Sequence, residues 1–209
     1  MAEIPVVFVY LGNKLPEYAF HGLFLARERY AGDIVLLSDQ SDTKVPDGVT
    51  FIDVSAWYQK DSFQAFSSQS PLDALFRGGF WLKTVERFFV LQQYMRQFAV
   101  EKLFHAELDV LILDLGGLAP SLDSEGKGVF IPSQRPGRAI ASLVYISDTA
   151  ALDKLVAFFC QNSHLGNEMN MLGAFLAEHP EHGVALPTEA ILSPSAWPHT
   201  PRYLSLIHI

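Results

Sequence analysis

The chain has 209 residues, a formal net charge of −8 and a pI near 5.3, and 49% of its residues are hydrophobic. This apolar content excludes a disordered chain, and the acidic balance argues against a nucleic-acid-binding protein. No stretch approaches the about 20 apolar residues of a membrane-spanning helix. The single Cys160 cannot form an internal disulfide and lies in an apolar helical run. We therefore expect a soluble, cytoplasmic protein.

Strands and helices are predicted to alternate in the first part of the chain. Residues 4–10, "IPVVFVY", form a continuous apolar run of the kind found in strands buried on both faces. Residues 15–32 have the start and stop signals of a helix, with Pro near the start and Gly at the end. Two further strands are predicted at 33–39 and 49–54. Residues 57–79 are rich in Ser and Gln without a sustained period, which indicates a mobile or active-site loop.

The second part of the chain continues this alternation. Residues 80–99 are predicted to form a long helix, because apolar side chains recur at steps of three and four. Further strands are predicted at 101–113, 128–133, 139–147 and 182–187, and helices at 148–160 and 167–179. Ser147 or Asp148 and then Asn167 are the expected N-caps. The pattern predicts one α/β domain over residues 1–203, with a Rossmann-type mixed, mainly parallel sheet flanked by helices.

The predicted strand at 101–113 contains His105, Glu107 and Asp109 between apolar runs. In an extended strand, alternate side chains lie on one face, so these three would converge. Burying two carboxylates together is costly unless a cation or hydrogen bonds compensate. Mg²⁺ or Mn²⁺ would supply that compensation, since such ions prefer oxygen ligands. The alternative is an irregular edge strand whose polar residues face water.

This layout resembles that of the nucleotide-sugar glycosyltransferases of the GT-A fold. Those enzymes have a nucleotide-holding first strand and loop, a helix block similar to "FWLKTVERF", and a following strand with a D-x-D motif. Glu107-Leu108-Asp109 takes the place of that motif, with Glu for the first Asp. The later "ASLVYIS" and "GNEMNML" are similar to the acceptor half. The resemblance covers most of residues 4–187 and implies a GT-A-like fold and transfer from a UDP- or GDP-sugar to a carbohydrate or glycoconjugate acceptor.

The resemblance also implies roles for particular acidic residues. Asp109 would bind the metal, and Glu107 would contact ribose or assist at the metal. His105 is either a supporting residue or a satisfied buried histidine. Glu168 occupies a place near the acceptor hydroxyl, as general base in an inverting enzyme or as an orienting group in a retaining one. The alternative for Glu168 is a helix-dipole contact at the first position of its helix.

Other residues are candidates for binding the donor. The turn after the first strand would place Tyr10, Leu11, Gly12 and Asn13 at the nucleobase, or it is a plain strand-to-helix turn. Asp39 would contact base or ribose, unless it only forms a turn. Lys83 and Arg87 lie one helical turn apart and would meet the diphosphate or an acidic acceptor, or form a solvated helix face.

Arg135 and Arg138 are candidate acceptor contacts, or else ordinary basic residues of an exposed loop. The sequence lacks the motifs of three other enzyme classes. It has no G-x-G-x-x-G for a nicotinamide or flavin cofactor and no G-x-S-x-G for a serine hydrolase. Its H-x-E is not accompanied by the P-C-x-x-C of a zinc deaminase. Two alternatives stay open. One is a nucleotide-sugar pyrophosphorylase-like enzyme, disfavoured because the first loop is not Gly-rich and basic. The other is a non-catalytic sugar-nucleotide-binding or assembly protein.

The last six residues are "LSLIHI" at 204–209. They are what translation of CTG TCT CTT ATA CAC ATC gives, and that nucleotide sequence is a transposase adapter used in preparing sequencing libraries. We therefore expect the native sequence to stop near Tyr203 and the natural protein to continue further; the alternative is a genuine apolar tail. A domain incomplete at its C-terminus would lack the late His or basic residue that closes over the diphosphate in many relatives. His199 and Arg202 are the late candidates present.

Overall fold

The computed structural model describes residues 3–12, 14–41, 43–112, 115 and 118–186. Predictions that concern Asn13, His199, Arg202 and the tail at 204–209 lie outside these residues.

The described residues form strands and helices in alternation. The strands are β1 (Val6–Tyr10), β2 (Ile34–Ser38), β3 (Val49–Asp53), β4 (Leu103–Ala106), β5 (Val129–Arg135), β6 (Arg138–Ala139), β7 (Leu143–Ile146) and β8 (Gly183–Leu186). The α-helices are α1 (Glu17–Arg29), α2 (Asp61–Gln69), α3 (Phe80–Gln97), α4 (Leu118–Asp123), α5 (Thr149–Gln161) and α6 (Glu168–Glu178).

These strands join in one mixed sheet with the order β3-β2-β1-β4-β7-β5-β6, and β8 pairs with β5. The pairs β1–β2, β1–β4, β2–β3 and β5–β8 are parallel. Strand β7 runs antiparallel to both β4 and β5, so β4 and β5 are parallel to each other. Consequently β1, β2, β4 and β5 all end at the same side of the sheet, which we call the carboxyl edge. The predicted α/β class is confirmed.

Helices cover both faces of the sheet, as the continuous apolar strands require. Helices α1 and α4 pack with Phe8, Phe104 and Tyr145 on one face. Helices α2, α3, α5 and α6 form the other layer, with the aromatic cluster of Phe88 and Phe159 in its centre. Asp148 and Asn167 cap α5 and α6 through their side chains, as predicted.

Several predicted elements differ from the structure: the strand predicted at 139–147 is divided between β6 and β7, and α4 was not predicted. Residues 57–79 contain the helix α2, which buries Phe63 and Phe66 against Phe89. Its nine residues are too few for a clear period in the sequence. The strand predicted at 101–113 is wrong in its length, because β4 ends at Ala106 and the chain then turns.

Candidate active site

The two acidic residues of the E-x-D sequence lie in a turn just beyond the carboxyl edge of β4. The Glu107 N–H donates to the carbonyl of Ser142 (3.0 Å), and the Val110 N–H donates back to the carbonyl of Glu107 (3.1 Å). Leu108 is buried, and the carbonyl of Leu108 lies against Gly22 of α1, where a Cβ would come within 3.0 Å. The buried neighbours therefore anchor the turn and leave both carboxylates half-buried at the edge of the sheet.

Tyr18 of α1 shows that these carboxylates lie in one region. Burial raises the pKa of the Tyr18 hydroxyl, and the negative charges of Asp109 and Glu107 raise it further. One exposed phenol near the start of α1 therefore feels both acidic groups. Glu107 and Asp109 therefore lie near the same phenol, and they do so in a turn rather than on one face of the predicted extended strand.

The buried Arg87 joins the half-buried Glu107 to the buried Glu168 in an ion triplet. The Nη1 of Arg87 lies 2.7 Å from Oε1 of Glu107, and its Nη2 lies 2.6 Å from Oε1 of Glu168. Arg87 is only 7% exposed and Glu168 only 3%. One guanidinium from α3 therefore holds a carboxylate at the end of β4 and another at the start of α6. Arg87 and Glu168 are separate candidates in the sequence, where nothing predicts this contact between residues 81 positions apart.

The charges in this triplet are strongly coupled. Burial raises the pKa of Glu168 to about 7, and the nearby Glu107 adds to the rise while Arg87 opposes it. Burial lowers the pKa of Arg87, but the carboxylates of Glu168 and Glu107 outweigh that effect and raise it above its ordinary value. Arg87 is thus always charged, and Glu168 changes its protonation state near neutral pH.

The raised pKa of Glu168 predicts a pH-dependent stability. Its ordinary pKa is 4.5 and its pKa in the folded protein is about 7. The folded state therefore binds the proton more tightly than the unfolded state. The stability that this carboxyl contributes is fully present below pH 4.5, is lost as the pH rises to about 7, and does not change further above that.

This prediction can be measured by urea unfolding of the wild type and of Glu168→Gln between pH 4 and 8. The wild type should lose stability relative to Glu168→Gln as the pH rises through this window. Glu178→Gln, at the exposed end of the same helix, is the matched control and should follow the wild type. Parallel curves for wild type and Glu168→Gln would contradict the assignment.

His105 lies beneath the triplet as an uncharged ring. Its Nδ1 is 2.9 Å from the carbonyl oxygen of Val7, and its edge packs against Phe88. Burial lowers its pKa to about 3, and the positive charge of Arg87 lowers it further. His105 is therefore a neutral buried ring near Arg87. Its Nδ1 is bonded, whereas its buried Nε2 has no hydrogen-bond partner among the described residues.

The residues predicted to bind the nucleotide meet at the ends of β1 and β2. The Gly12 N–H donates to Oδ1 of Asp39 (2.8 Å). Gly12 has a φ of +103°, and a Cβ there would overlap the end of the Lys83 side chain, so Lys83 lies directly over the Gly12 backbone. Burial raises the pKa of the Tyr10 hydroxyl, and the charges of Tyr18 and Asp39 raise it further. Tyr10 therefore lies near both of these residues. Leu11 packs against the core on the α3 side.

A cavity of about 550 Å³ adjoins Asp39. Its walls come from the start of α1 and from the loop that follows β2, with Lys14, Phe20 and Lys44 among them. The space is therefore concave, mixed in polarity, and next to the predicted nucleotide residues.

The described residues contain no group of three or more His, Cys, Asp or Glu side chains arranged to hold a metal ion. Asp109 and Glu107 supply two carboxylates. That number suits an ion whose remaining ligands are phosphate oxygens and water.

The described helices include none with the length and apolar content needed to cross a bilayer.

No protein-family model matches the sequence, and no curated protein matches it. Solved structures do match the fold. Mouse xyloside xylosyltransferase 1, in its apo form, superimposes with a TM-score of 0.60 at 11% identity, over 88% of this chain and 84% of that chain. The PaToxG glycosyltransferase superimposes with a TM-score of 0.53 at 12% identity, over 86% of this chain and 70% of that chain. The predicted GT-A-like α/β fold is therefore confirmed.

Proposed function

We propose that this chain is a glycosyltransferase that moves a sugar from a UDP- or GDP-sugar to a carbohydrate or glycoconjugate acceptor, with Mn²⁺ or Mg²⁺ as cofactor. One observation carries the proposal. Five candidate residues lie at one edge of the sheet. They come from the ends of β1 and β2, the start of α3 and the turn after β4: Gly12, Asp39, Lys83, Glu107 and Asp109. Ligands of open parallel sheets bind at this edge. The fold shared with two glycosyltransferases agrees with it.

The donor side of the site has the groups that a nucleoside diphosphate requires. The ammonium of Lys83 lies against the Gly12 backbone, where it would balance phosphate charge. Glycine suits position 12 because its φ of +103° is strained for other residues, and a Cβ there would also displace the end of the Lys83 side chain. Asp39 is fixed by the Gly12 N–H and would accept a hydrogen bond from a ribose hydroxyl or from the base.

Asp109 and Glu107 fit a divalent ion. Glu107 already accepts a hydrogen bond from Arg87, but a carboxylate has about four acceptor positions and can bond to more than one partner. Asp109 would be the principal ligand and Glu107 the supporting one. When bound, the ion would stabilise the negative charge that develops on the departing diphosphate.

Glu168 is the proposed catalytic carboxylate. A pKa of about 7 suits a group that exchanges a proton near neutral pH. Arg87 would act as a positioning residue, because its two bonds fix Glu168 relative to Glu107. Both inverting and retaining chemistry are compatible with this assignment, with Glu168 as general base in the first and as orienting group in the second.

The proposed function can be tested by turnover. The purified protein is incubated with Mn²⁺, a mixture of oligosaccharide acceptors, and UDP- and GDP-sugars one at a time, and released nucleoside diphosphate is measured. We expect release from one nucleotide class, lowered at least tenfold in Lys83→Gln. Lys154→Gln, on the exposed side of α5, is the matched control and should match the wild type. Nucleotide binding without release of diphosphate would favour the non-catalytic binding protein.

A further inference from the structure

The hairpin formed by residues 133–139, here called the arginine hairpin, lies at the carboxyl edge, which also carries the candidate site. Strand β5 is parallel to β4, so Arg135 at the end of β5 and Glu107 after β4 lie at the same edge. The pairing of Ser133 with Ala139 and of Arg135 with Arg138 closes the hairpin. It therefore extends from the same edge as the turn that carries the two acidic residues, with β7 between β4 and β5.

Helix α6 supports the arginine hairpin through its backbone. A Cβ on Gly173 would overlap backbone atoms of Gly137 and Arg138, so only glycine allows this contact. Gly137 has a φ of +74°, which fixes the reversal of the chain. Because α6 begins at Glu168, the same helix positions the hairpin and the proposed catalytic carboxylate.

The two arginines of the hairpin occupy directly opposed positions. Like charges opposite each other on neighbouring strands destabilise a hairpin. Over the described part of the chain, neither Arg135 nor Arg138 lies within ion-pair distance of a carboxylate. Arg135 is exposed and Arg138 is half-buried, so both guanidinium groups are available to an anion from outside the chain.

Arg138 in particular has poor partners within the protein. Its Nη2 donates to the sulfur of Met169 (3.2 Å), and a thioether is only a weak acceptor. Its buried Nε has no hydrogen-bond partner among the described residues. Leaving a charged donor unsatisfied is costly. Met169 directly follows Glu168 in the sequence, so Arg138 contacts the first turn of the helix that carries the proposed catalytic residue.

We infer that the arginine hairpin binds an anionic group of the acceptor, so that the acceptor is an acidic saccharide carrying a carboxylate, sulfate or phosphate. Guanidinium groups bind such groups with two parallel hydrogen bonds, and two arginines side by side provide a matching surface. This inference rests on the proposed function for the identity of the ligand as an acceptor. The anion site itself rests on the hairpin alone.

The test uses matched acidic and neutral sugars as probes. Binding of glucuronate, glucose 6-sulfate, glucose and inorganic phosphate is followed by two-dimensional NMR of the ¹⁵N-labelled protein, with the Gly137 amide as reporter. We expect the two acidic sugars to shift this signal and glucose not to do so. The double variant Arg135→Gln/Arg138→Gln should bind the acidic sugars at least tenfold more weakly than the wild type does. Arg138→Lys should keep part of this affinity. The control Arg29→Gln/Lys127→Gln should bind as the wild type does.

Three results would overturn the inference: acidic-sugar binding unchanged in the hairpin double variant, glucose binding equal to that of glucuronate, or inorganic phosphate binding as tightly as the sugar acids. Urea unfolding checks that each variant is folded. If the double variant is unfolded, the binding of acidic sugars by Arg138→Lys is compared with that of the wild type instead. UDP binding by the same variants separates the two proposals. Retained UDP binding with lost sugar-acid binding supports the inference, whereas a wild type that binds sugar acids but not UDP contradicts only the proposed function.

Discussion

Replacement of Arg87 by methionine is expected to lower the free energy of unfolding by about 3–5 kcal/mol and to reduce turnover at least a hundredfold. The substitution keeps an unbranched apolar side chain but removes the guanidinium that Glu107 and Glu168 share. Both carboxylates would then lose their common partner, and Glu168 is almost fully buried. Chemical unfolding and the diphosphate-release assay measure the two effects.

The pH dependence of this variant gives a more specific test of the same contact. Without Arg87 the pKa of Glu168 should rise further, because the guanidinium opposes the effect of burial in the wild type. The loss of stability should therefore be smaller at pH 5 than at pH 8. Arg96→Met, which removes an exposed ion pair with Asp153, is the control and should cost about 1 kcal/mol or less. An Arg87→Met protein as stable as this control would contradict the triplet.

Replacement of Asp109 by asparagine is the second change with a large expected effect. It should lower turnover at least a hundredfold and remove the dependence on Mn²⁺, because an amide oxygen is a much weaker ligand for a hard cation than a carboxylate. Stability should change little, since Asp109 is only half-buried in a turn that Leu108 and Val110 anchor. Turnover at varied Mn²⁺ concentration, together with urea unfolding, measures both.

Two controls define the outcome for Asp109. Asp47→Asn removes an exposed carboxylate far along the chain from the site and should leave turnover unchanged. Glu107→Gln should be intermediate in its metal dependence, since Glu107 is the supporting ligand. Full activity of Asp109→Asn in the presence of Mn²⁺ would contradict the proposal that Asp109 binds the metal ion.

Much of the fold could be predicted from the sequence because it depends on local patterns. The continuous apolar runs of β1 and β2 indicate buried strands, and the apolar face of α3 repeats over five turns. The short helices α2 and α4 and the end of β4 were not predicted correctly. At β4 the alternation of apolar and polar residues continues into the turn at 107–110, so the sequence alone does not mark where the strand stops.

The candidate site could be predicted in its parts but not in its connections. Acidic residues at the end of a strand and a glycine after another strand are visible in the sequence. The bond between Arg87 and Glu168 joins residues 81 positions apart, and the contact of Lys83 with Gly12 also depends on how α3 packs across the sheet. Such contacts arise from the tertiary arrangement, and no spacing in the sequence encodes them.

Calorimetric titration of UDP and GDP into the protein, once with Mn²⁺ and once with EDTA, tests the central claim most directly. The site proposed at the carboxyl edge predicts that one of the two nucleotides binds at least tenfold more tightly with Mn²⁺ than with EDTA, and that Asp109→Asn loses this difference. Binding of equal strength under both conditions, or no binding of either nucleotide, would contradict the claim.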